Sequence, residues 1–409
     1  MSMAAPQPAA AIHPAIPLWE LALVYLRVGL TGFGPALAAE TKKHLVKGRN
    51  WVSEEDFVNG LALAQMLPGA TFVSLTVYVG YKIRGVAGAL TSFFAFLLPP
   101  FSLMLFLSYA YFSYGSLPQI SLLFQGMAVV VAGLVANAVI DISKSTVTDI
   151  KGIGVAAGSI GIMFFYPNIF LLLFLAAATG IALYYQPLKR QVLLVDAASP
   201  TKTNNGIALP GKRLLIFVAV FAAIAYGLSW QPVLQQLGWV FFRMGAFLFG
   251  GGFSMIPFIQ QEVVTQYHWL TLDEFVVGIA LGQVTPGPIL ITATFIGYKV
   301  AGLGGAIAAT LGIFLPSLFL VMLTAEIHQK FRHNLWIKSA IKGVAAAFTG
   351  MILVVAIGLA QHSLVDIPSI LVAAATFAAL RYSKLETVWV VLGGTAVYWL
   401  MALAGAVKQ

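Results

Sequence analysis

The sequence predicts an all-α integral membrane protein, made of two inverted repeats of broken and spanning helices joined by one linker helix. Three observations predict it. The 409-residue chain is 60% hydrophobic and only 9% charged, against roughly a quarter charged in a soluble domain. A motif in residues 64–82, AQMLPGATFVSLTVYVGYK, returns in residues 282–299 as GQVTPGPILITATFIGYK. Each version carries a proline-glycine break inside a stretch apolar enough to enter a bilayer. Proline removes a backbone donor and clashes with the preceding turn, so a continuous helix cannot pass. Lipid offers the freed backbone groups no partner, and such breaks occur where they are buried in protein or line a wet cavity. A duplicated break is the pattern of a secondary transporter's binding site.

The repeat has a register. Trp51, Phe57, Gln65, Pro68 and Gly69 match Trp269, Phe275, Gln283, Pro286 and Gly287 at a constant spacing of 218 residues. The spacing is 217 after the break, where Gly80, Tyr81 and Lys82 match Gly297, Tyr298 and Lys299. Upstream it is 216, pairing Arg27 with Arg243 and Gly29 with Gly245. The chain therefore divides into a tail (1–17), a first repeat (18–186), a polar linker plus connecting transmembrane helix (187–237) and a second repeat (238–409). The tail is rich in Ala and Pro without a basic start, so it reads as a tail and not as a signal peptide.

Taken in order, each repeat opens with an apolar segment interrupted by glycine, LTGFGPA in the first and FLFGGGFSMIP in the second. A polar amphipathic stretch follows (40–56 and 260–274), then the Pro-Gly-broken segment. Four further apolar segments complete the first repeat, near 85–111, 120–140, 150–165 and 169–185. Their counterparts lie near 302–325, 337–360, 367–380 and 387–404. The polar residues 186–213 form the linker, and the unmatched apolar residues 214–230 the connecting helix.

Loop charges orient the copies. Lys144 and Lys151 precede the fifth element of the first copy, and the loop before its sixth is uncharged. In the second copy residues 362–369 lack Lys and Arg, whereas Arg381 and Lys384 precede the sixth element. Likewise FSYGSLPQ is uncharged, while Lys330, Arg332 and Lys338 crowd its counterpart. By the positive-inside rule the copies are inverted. Inversion requires an even number of crossings per copy. Lys42, Lys43, Lys47 and Arg49, against an acidic stretch in residues 262–274, favour re-entrant hairpins for the first two elements, since full spans would put that basic loop on the wrong side. The amino terminus and linker are then cytoplasmic and the carboxyl terminus is outside.

Composition also excludes function classes. Cysteine is absent, which removes disulfides, thiolate metal sites and thiol redox chemistry. The six His residues show no zinc-ligand spacing, and there is neither a Walker-type loop nor a dinucleotide fingerprint. No cofactor, no metal and no enzymatic activity are expected, a membrane-embedded redox enzyme being the weakest alternative. The net charge of +9 gathers in short loops, so it is no sign of nucleic acid.

Half-helix amino termini exposed at the breaks carry partial positive charge and suit anions. Arg27 and Arg243 each lie within an apolar run two residues before a glycine, and an intramembrane arginine by default marks a site. Its planar fork matches a tetrahedral oxyanion in a bidentate way. The competing reading is that these arginines snorkel to the interface. Gln65 and Gln283 can donate to an oxyanion or hydrogen-bond between helices. Lys82 and Lys299 read as interfacial anchors, and Gly154 with Gly158 as helix packing. Glu262 is a candidate for a coupling proton, weighed against a solvated loop position, and Asp141 and Glu326 read as solvated.

These residues resemble those of the chromate ion transporter family. The resemblance rests on FGP near Phe33, on LPGA with VGYKIRG in residues 67–85, and on FGGGFSMIPFIQQE with GQVTPGPILITATFIGYKVAG in the second half. It covers both copies, as in a long, two-domain member. It implies efflux of chromate across the inner membrane, driven by an ion gradient or the membrane potential, with sulfate as a structural analogue. The partners implied are chromate, sulfate and membrane lipid, and a homodimer stays open. By motif match the binding residues carried over are Arg27, Gly34, Pro35, Gln65, Pro68 and Gly69 in the first half. In the second they are Arg243, Gly250, Gly251, Gly252, Gln283, Thr285, Pro286, Gly287 and Pro288, with Glu262 as the coupling candidate. The first copy has Pro-Gly-Ala where the second has Pro-Gly-Pro, so the half-sites are unequal. A carrier for a different anion, such as sulfate, satisfies the same residues.

Overall fold

The computed structural model describes residues 16–34, 36–166, 168–196, 231–248, 251–324, 334–405 and 407. Among them the regular secondary structure is helical, apart from one isolated bridge between Phe33 and Gly287. The first copy holds α1 (Leu18–Thr31), α2 (Ala36–Lys42), α3 (Glu54–Met66), α4 (Thr71–Tyr114), α5 (Pro118–Thr146), α6 (Ile150–Phe165) and α7 (Ile169–Asp196). The second holds α8 (Pro232–Ala246), α9 (Ile256–Gln260), α10 (Leu272–Val284), α11 (Thr292–Thr324), α12 (Leu335–Ser363), α13 (Ile367–Tyr382) and α14 (Thr387–Leu403). All eight predicted apolar segments fall on helices. Five helices among the described residues are long and apolar enough to cross a membrane, so the protein is an all-α membrane protein.

The Pro-Gly breaks are the tips of helical hairpins. Ser53 caps α3, and Thr271 with Glu274 forms a reciprocal capping box on α10, fixing where each rising arm begins. After the break the chain descends, and Lys82 at its end pairs with Asp56 at the start of α3 at 3.1 Å. Lys299 pairs with Glu274 in the same way at 2.7 Å. The lysines read as anchors thus close the hairpin bases. An arm of 13 residues reaches about 20 Å at 1.5 Å per residue, short of the ~30 Å of hydrocarbon. Neither rising arm, each of 13 residues, reaches that length on its own.

At each base the chain reverses again. Helical hydrogen bonding continues through α4 and α11, yet Gly85 (φ +59) and Gly302 (φ +56) adopt left-handed backbone that only glycine takes cheaply. Beyond Gly85 the second arm runs back along the first, so that Ser92 Oγ donates to the Thr76 carbonyl at 3.1 Å. In α11 the corresponding reversal brings the Thr294 and Thr310 hydroxyls, one residue further along than the repeat positions, to 2.7 Å. α1 starts at the first base, where Arg84 donates to the Ile16 carbonyl at 2.9 Å. α2 returns to it, since Lys42 forms an ion pair with Glu54. The glycine-interrupted first element is therefore a second hairpin, with Gly32 and Gly34 at its tip.

Long helices hold these hairpins, and the copies interleave. α5 packs against α13 and α14 of the second copy, whereas α12 packs against α6 and α7 of the first. Small residues allow it: a Cβ on Gly133 would meet the Ala373 carbonyl, and one on Gly343 the Ala176 carbonyl. Asp141 pairs with Arg381 across this contact at 2.7 Å, with its side chain still largely exposed.

Three features add to or change the expectations. The polar linker begins as helix, because α7 continues to Asp196 and carries residues 186–196. Gly154 and Gly158 do not serve helix packing, since a Cβ at either would meet nothing within 4 Å. They border an open groove of about 300 Å³ between α6 and α7. Third, the amphipathic stretches include two wide helical turns, Lys43–Gly48 and Gln261–Gln266, at matching positions of the repeat. The tail to residue 15, the remainder of the linker and residues 214–230 lie outside the described residues, as do Pro35, Gly250, Glu326, Lys330 and Arg332.

Candidate functional site

Four tips meet, two from each copy, and each contact joins one copy to the other. The amide of Gly69 donates to the Leu248 carbonyl at 2.9 Å, joining the first Pro-Gly tip to the second copy's glycine loop. The amide of Gly287 donates to the Gly32 carbonyl at 2.8 Å, joining the second tip to the first copy's loop. Each tip also rests on the other copy's long helix. Ala70 N–H donates to Ser317 Oγ in α11 at 2.8 Å, and Gly287 lies against Pro100 in α4.

These bonds correct one expectation. The amides of Gly69, Ala70 and Gly287 are not held open for an anion in this conformation, because carbonyls and a hydroxyl of the other copy already occupy them. Buried backbone donors take the nearest acceptor, and the opposite tips bring one within reach. Thr285 is likewise satisfied internally, its hydroxyl donating to the Leu281 carbonyl at 2.8 Å. Pro68, Pro286 and Pro288 line the tips, with Pro286 and Pro288 buried. Gly34 (φ +46) and Gly251 (φ +103) form left-handed corners of the loops, and Gly252 fits against Ile289, leaving no room for a Cβ.

The side chains divide unequally. Arg27 is exposed on α1, on the same face as Trp19, Leu23 and Leu30, and Gln65 is exposed on α3. Their counterparts turn inward. Arg243 Nη2 lies 3.4 Å from Glu262 Oε2, and its Cζ is 5.0 Å over the Phe170 ring. Its Nε is buried without a hydrogen-bond partner, and the same holds for Gln283 Nε2. The paired arginines therefore do not converge on one site. The repeat fixes their position along the helix, while the packing of each copy decides which face looks inward.

Glu262 is not solvated. Its side chain is only 4% exposed, because the wide turn of residues 261–266 carries it into the packed interior beside α8. Wide turns of this type recur at functional positions. Two further groups escaped the sequence reading. Gln260 has a buried, unpartnered Oε1. His44 occupies the position matching Glu262 at the 218-residue spacing and lies 3.3 Å from Glu40. The spacing already linked these two positions, but a histidine and a glutamate do not look alike in sequence. Among the described residues no cluster of three or more His, Asp or Glu could hold a metal ion.

Comparison with known proteins adds a second line of observation. The profile of a family described as Chromate transporter matches this sequence over residues 19–181 and 235–399, one stretch in each copy. The chain is 34% identical to a chromate transport protein of Cupriavidus metallidurans, over 97% of this chain and 98% of that one. It is 32% identical to an uncharacterized transporter of Methanocaldococcus jannaschii, covering 90% of each chain. A probable chromate transport protein of Synechococcus elongatus is 32% identical over 88% of this chain and 89% of its own length. No solved structure matches.

Proposed function

This chain belongs to the chromate transporter family, and from that premise we propose that it is a secondary carrier exporting chromate from the cytoplasm. An ion gradient or the membrane potential supplies the driving force. The observation that carries this reading is the central clasp of four broken tips with a half-buried arginine beside it. Such a centre places a cation beside broken helix ends at membrane depth, and the tip amides become available to an anion when the clasp opens during the cycle. The binding residues proposed are Arg243, Gln283 and the tip residues Gly34, Pro68, Gly69, Gly251, Gly252, Pro286, Gly287 and Pro288, with Glu262 coupling transport to protons. Arg27 and Gln65 belong to this site only if the first copy turns during the cycle.

Inversion of the two copies, from 18–186 and 238–409, is part of the proposal. What supports it is the course of α4. Its second arm leaves the first hairpin base at Gly85 and ends beside the second, where Phe112 stacks on Tyr298 and lies 5.0 Å from Lys299 Nζ. That arm is about 43 Å long at 1.5 Å per residue, so the bases stand at opposite ends. Charge supports the orientation. Lys42, Lys43, Lys47 and Arg49 gather near the first base, while Asp273 and Glu274 mark the second. The first base then faces the cytoplasm of a cell's inner membrane.

Sulfate is the second reading, favoured because nothing at the centre distinguishes one tetrahedral dianion from another. Purified protein in proteoliposomes, loaded with unlabelled anion and given radiolabelled chromate or sulfate, separates the two. Chromate counterflow exceeding sulfate counterflow is expected. Whole cells expressing the protein should accumulate less chromate, and higher accumulation would overturn export.

A further inference from the structure

Arg243 and Glu262 hold one another by a single contact. Only Nη2 reaches the carboxylate, at 3.4 Å, and Nε is left buried and unpartnered. The guanidinium therefore keeps its Nε edge free for a second acceptor, in the geometry by which arginine takes an oxyanion with two parallel bonds. Glu262 has no such reserve. Its hydrogen-bonded partner is Arg243, and among the described residues Arg243 is the charged group that acts on it. If the guanidinium turns to a ligand, a buried carboxylate is left alone.

We propose that Arg243 is shared between Glu262 and the transported dianion, and that Glu262 takes up one proton whenever the dianion takes the arginine. This rests on the anion-carrier reading above and adds its coupling stoichiometry. Two physical reasons compel the proton. A buried carboxylate stripped of its partner neutralises because the charged form is too costly. A dianion seated on the same guanidinium also repels a charged Glu262 at close range, where the low dielectric leaves the repulsion unscreened. The proton comes from the aqueous phase to which the site is open, and it leaves to the other phase with the anion. No bond of the oxyanion changes.

The charge balance follows. One dianion moving with one proton carries a single net negative charge. In a cell negative inside, the membrane potential drives that charge outward. An acidic exterior opposes the accompanying proton, so the potential is the effective driving force for export. In the empty carrier the Arg243–Glu262 pair neutralises itself, and the site can reset without ligand.

The test uses the full-length protein in proteoliposomes with a trapped fluorescent pH probe and radiolabelled sulfate or chromate. Sulfate serves as the main probe because it stays a dianion across the working pH range, and chromate is measured on the alkaline side of its own protonation. The unmutated protein should move protons with the anion, and its half-saturating concentration should rise with pH. Glu262→Gln imitates the protonated carboxyl. It should bind sulfate more tightly at alkaline pH, on the order of tenfold for the removal of a competing charge-assisted pair, and move no protons. Glu262→Asp should keep the proton movement.

Proton movement undiminished in Glu262→Gln would overturn the proposal. So would a membrane-resident Glu262→Gln protein without counterflow, because the neutral form has to be the binding form. Should that variant fail to reach the membrane, the aspartate variant decides: an unaltered pH dependence of half-saturation would equally overturn it. Failure of counterflow in the unmutated protein would instead strike the carrier reading itself.

Discussion

The amide of Gly287 donates to the carbonyl of Gly32 at 2.8 Å, fastening the second copy's Pro-Gly tip to the first copy's glycine loop. Gly287 has φ +102, and a Cβ there would lie 2.9 Å from Pro100. Gly287→Ala strains the backbone by about 1–3 kcal/mol and lifts the tip from α4. Transport should fall by at least tenfold while the protein still reaches the membrane. Labelled-anion counterflow beside a thermal unfolding measurement checks this, and loss of folding in step with transport would make the clasp purely structural.

The arginine pair gives the next prediction. Lysine keeps the charge but not the planar fork, and a snorkelling arginine tolerates that change. Arg243→Lys should raise the half-saturating chromate concentration roughly ten- to hundredfold, the worth of one charge-assisted bond at about 1.5–3 kcal/mol. Arg27→Lys should change it little, because the structure leaves Arg27 on an exposed face with Trp19 and Leu23. Equal effects of the two substitutions would show that both copies present their arginine during the cycle.

Topology can be mapped cleanly because the chain has no cysteine. Single cysteines at Thr201 in the linker and at His268 near the second hairpin base should react with an impermeant thiol reagent from opposite sides. The linker should be labelled only from the cytoplasm. Labelling of both from one side would overturn the inverted arrangement.

Interleaving of the copies is tested away from the centre. A Cβ on Gly343 would fall 2.1 Å from the Ala176 carbonyl and 2.7 Å from Gly180 Cα, whereas one on Gly358 in the same helix meets nothing within 4 Å. Gly343→Val should therefore destabilise by about 1–3 kcal/mol through overpacking and lower the yield of folded protein. Gly358→Val should be tolerated. Thermal unfolding in detergent measures both.

The sequence by itself determined the membrane class, the two copies and the places where helices break. These follow from local rules. Hydropathy sums over a segment, the Pro-Gly pairs at 68–69 and 286–287 combine a missing donor with a flexible backbone and so break the helix locally, and a 218-residue spacing survives any packing. The loop charges also carried the expectation that the first elements are hairpins, in line with the Lys82–Asp56 and Lys299–Glu274 pairs that close the bases.

Only the tertiary structure decided the character of the centre. Arg27 and Arg243 have the same local context, yet one faces outward and the other meets Glu262, because the face of a helix that turns inward depends on what the other copy packs against it. The break amides looked free because their acceptors, Leu248 and Gly32, lie far away in the chain. Glu262 looked solvated because its neighbours in sequence are polar. A wide turn and the approach of α8 buried it. Partners brought together by long-range packing leave no periodicity to read, and here they set which polar groups remain open to a ligand.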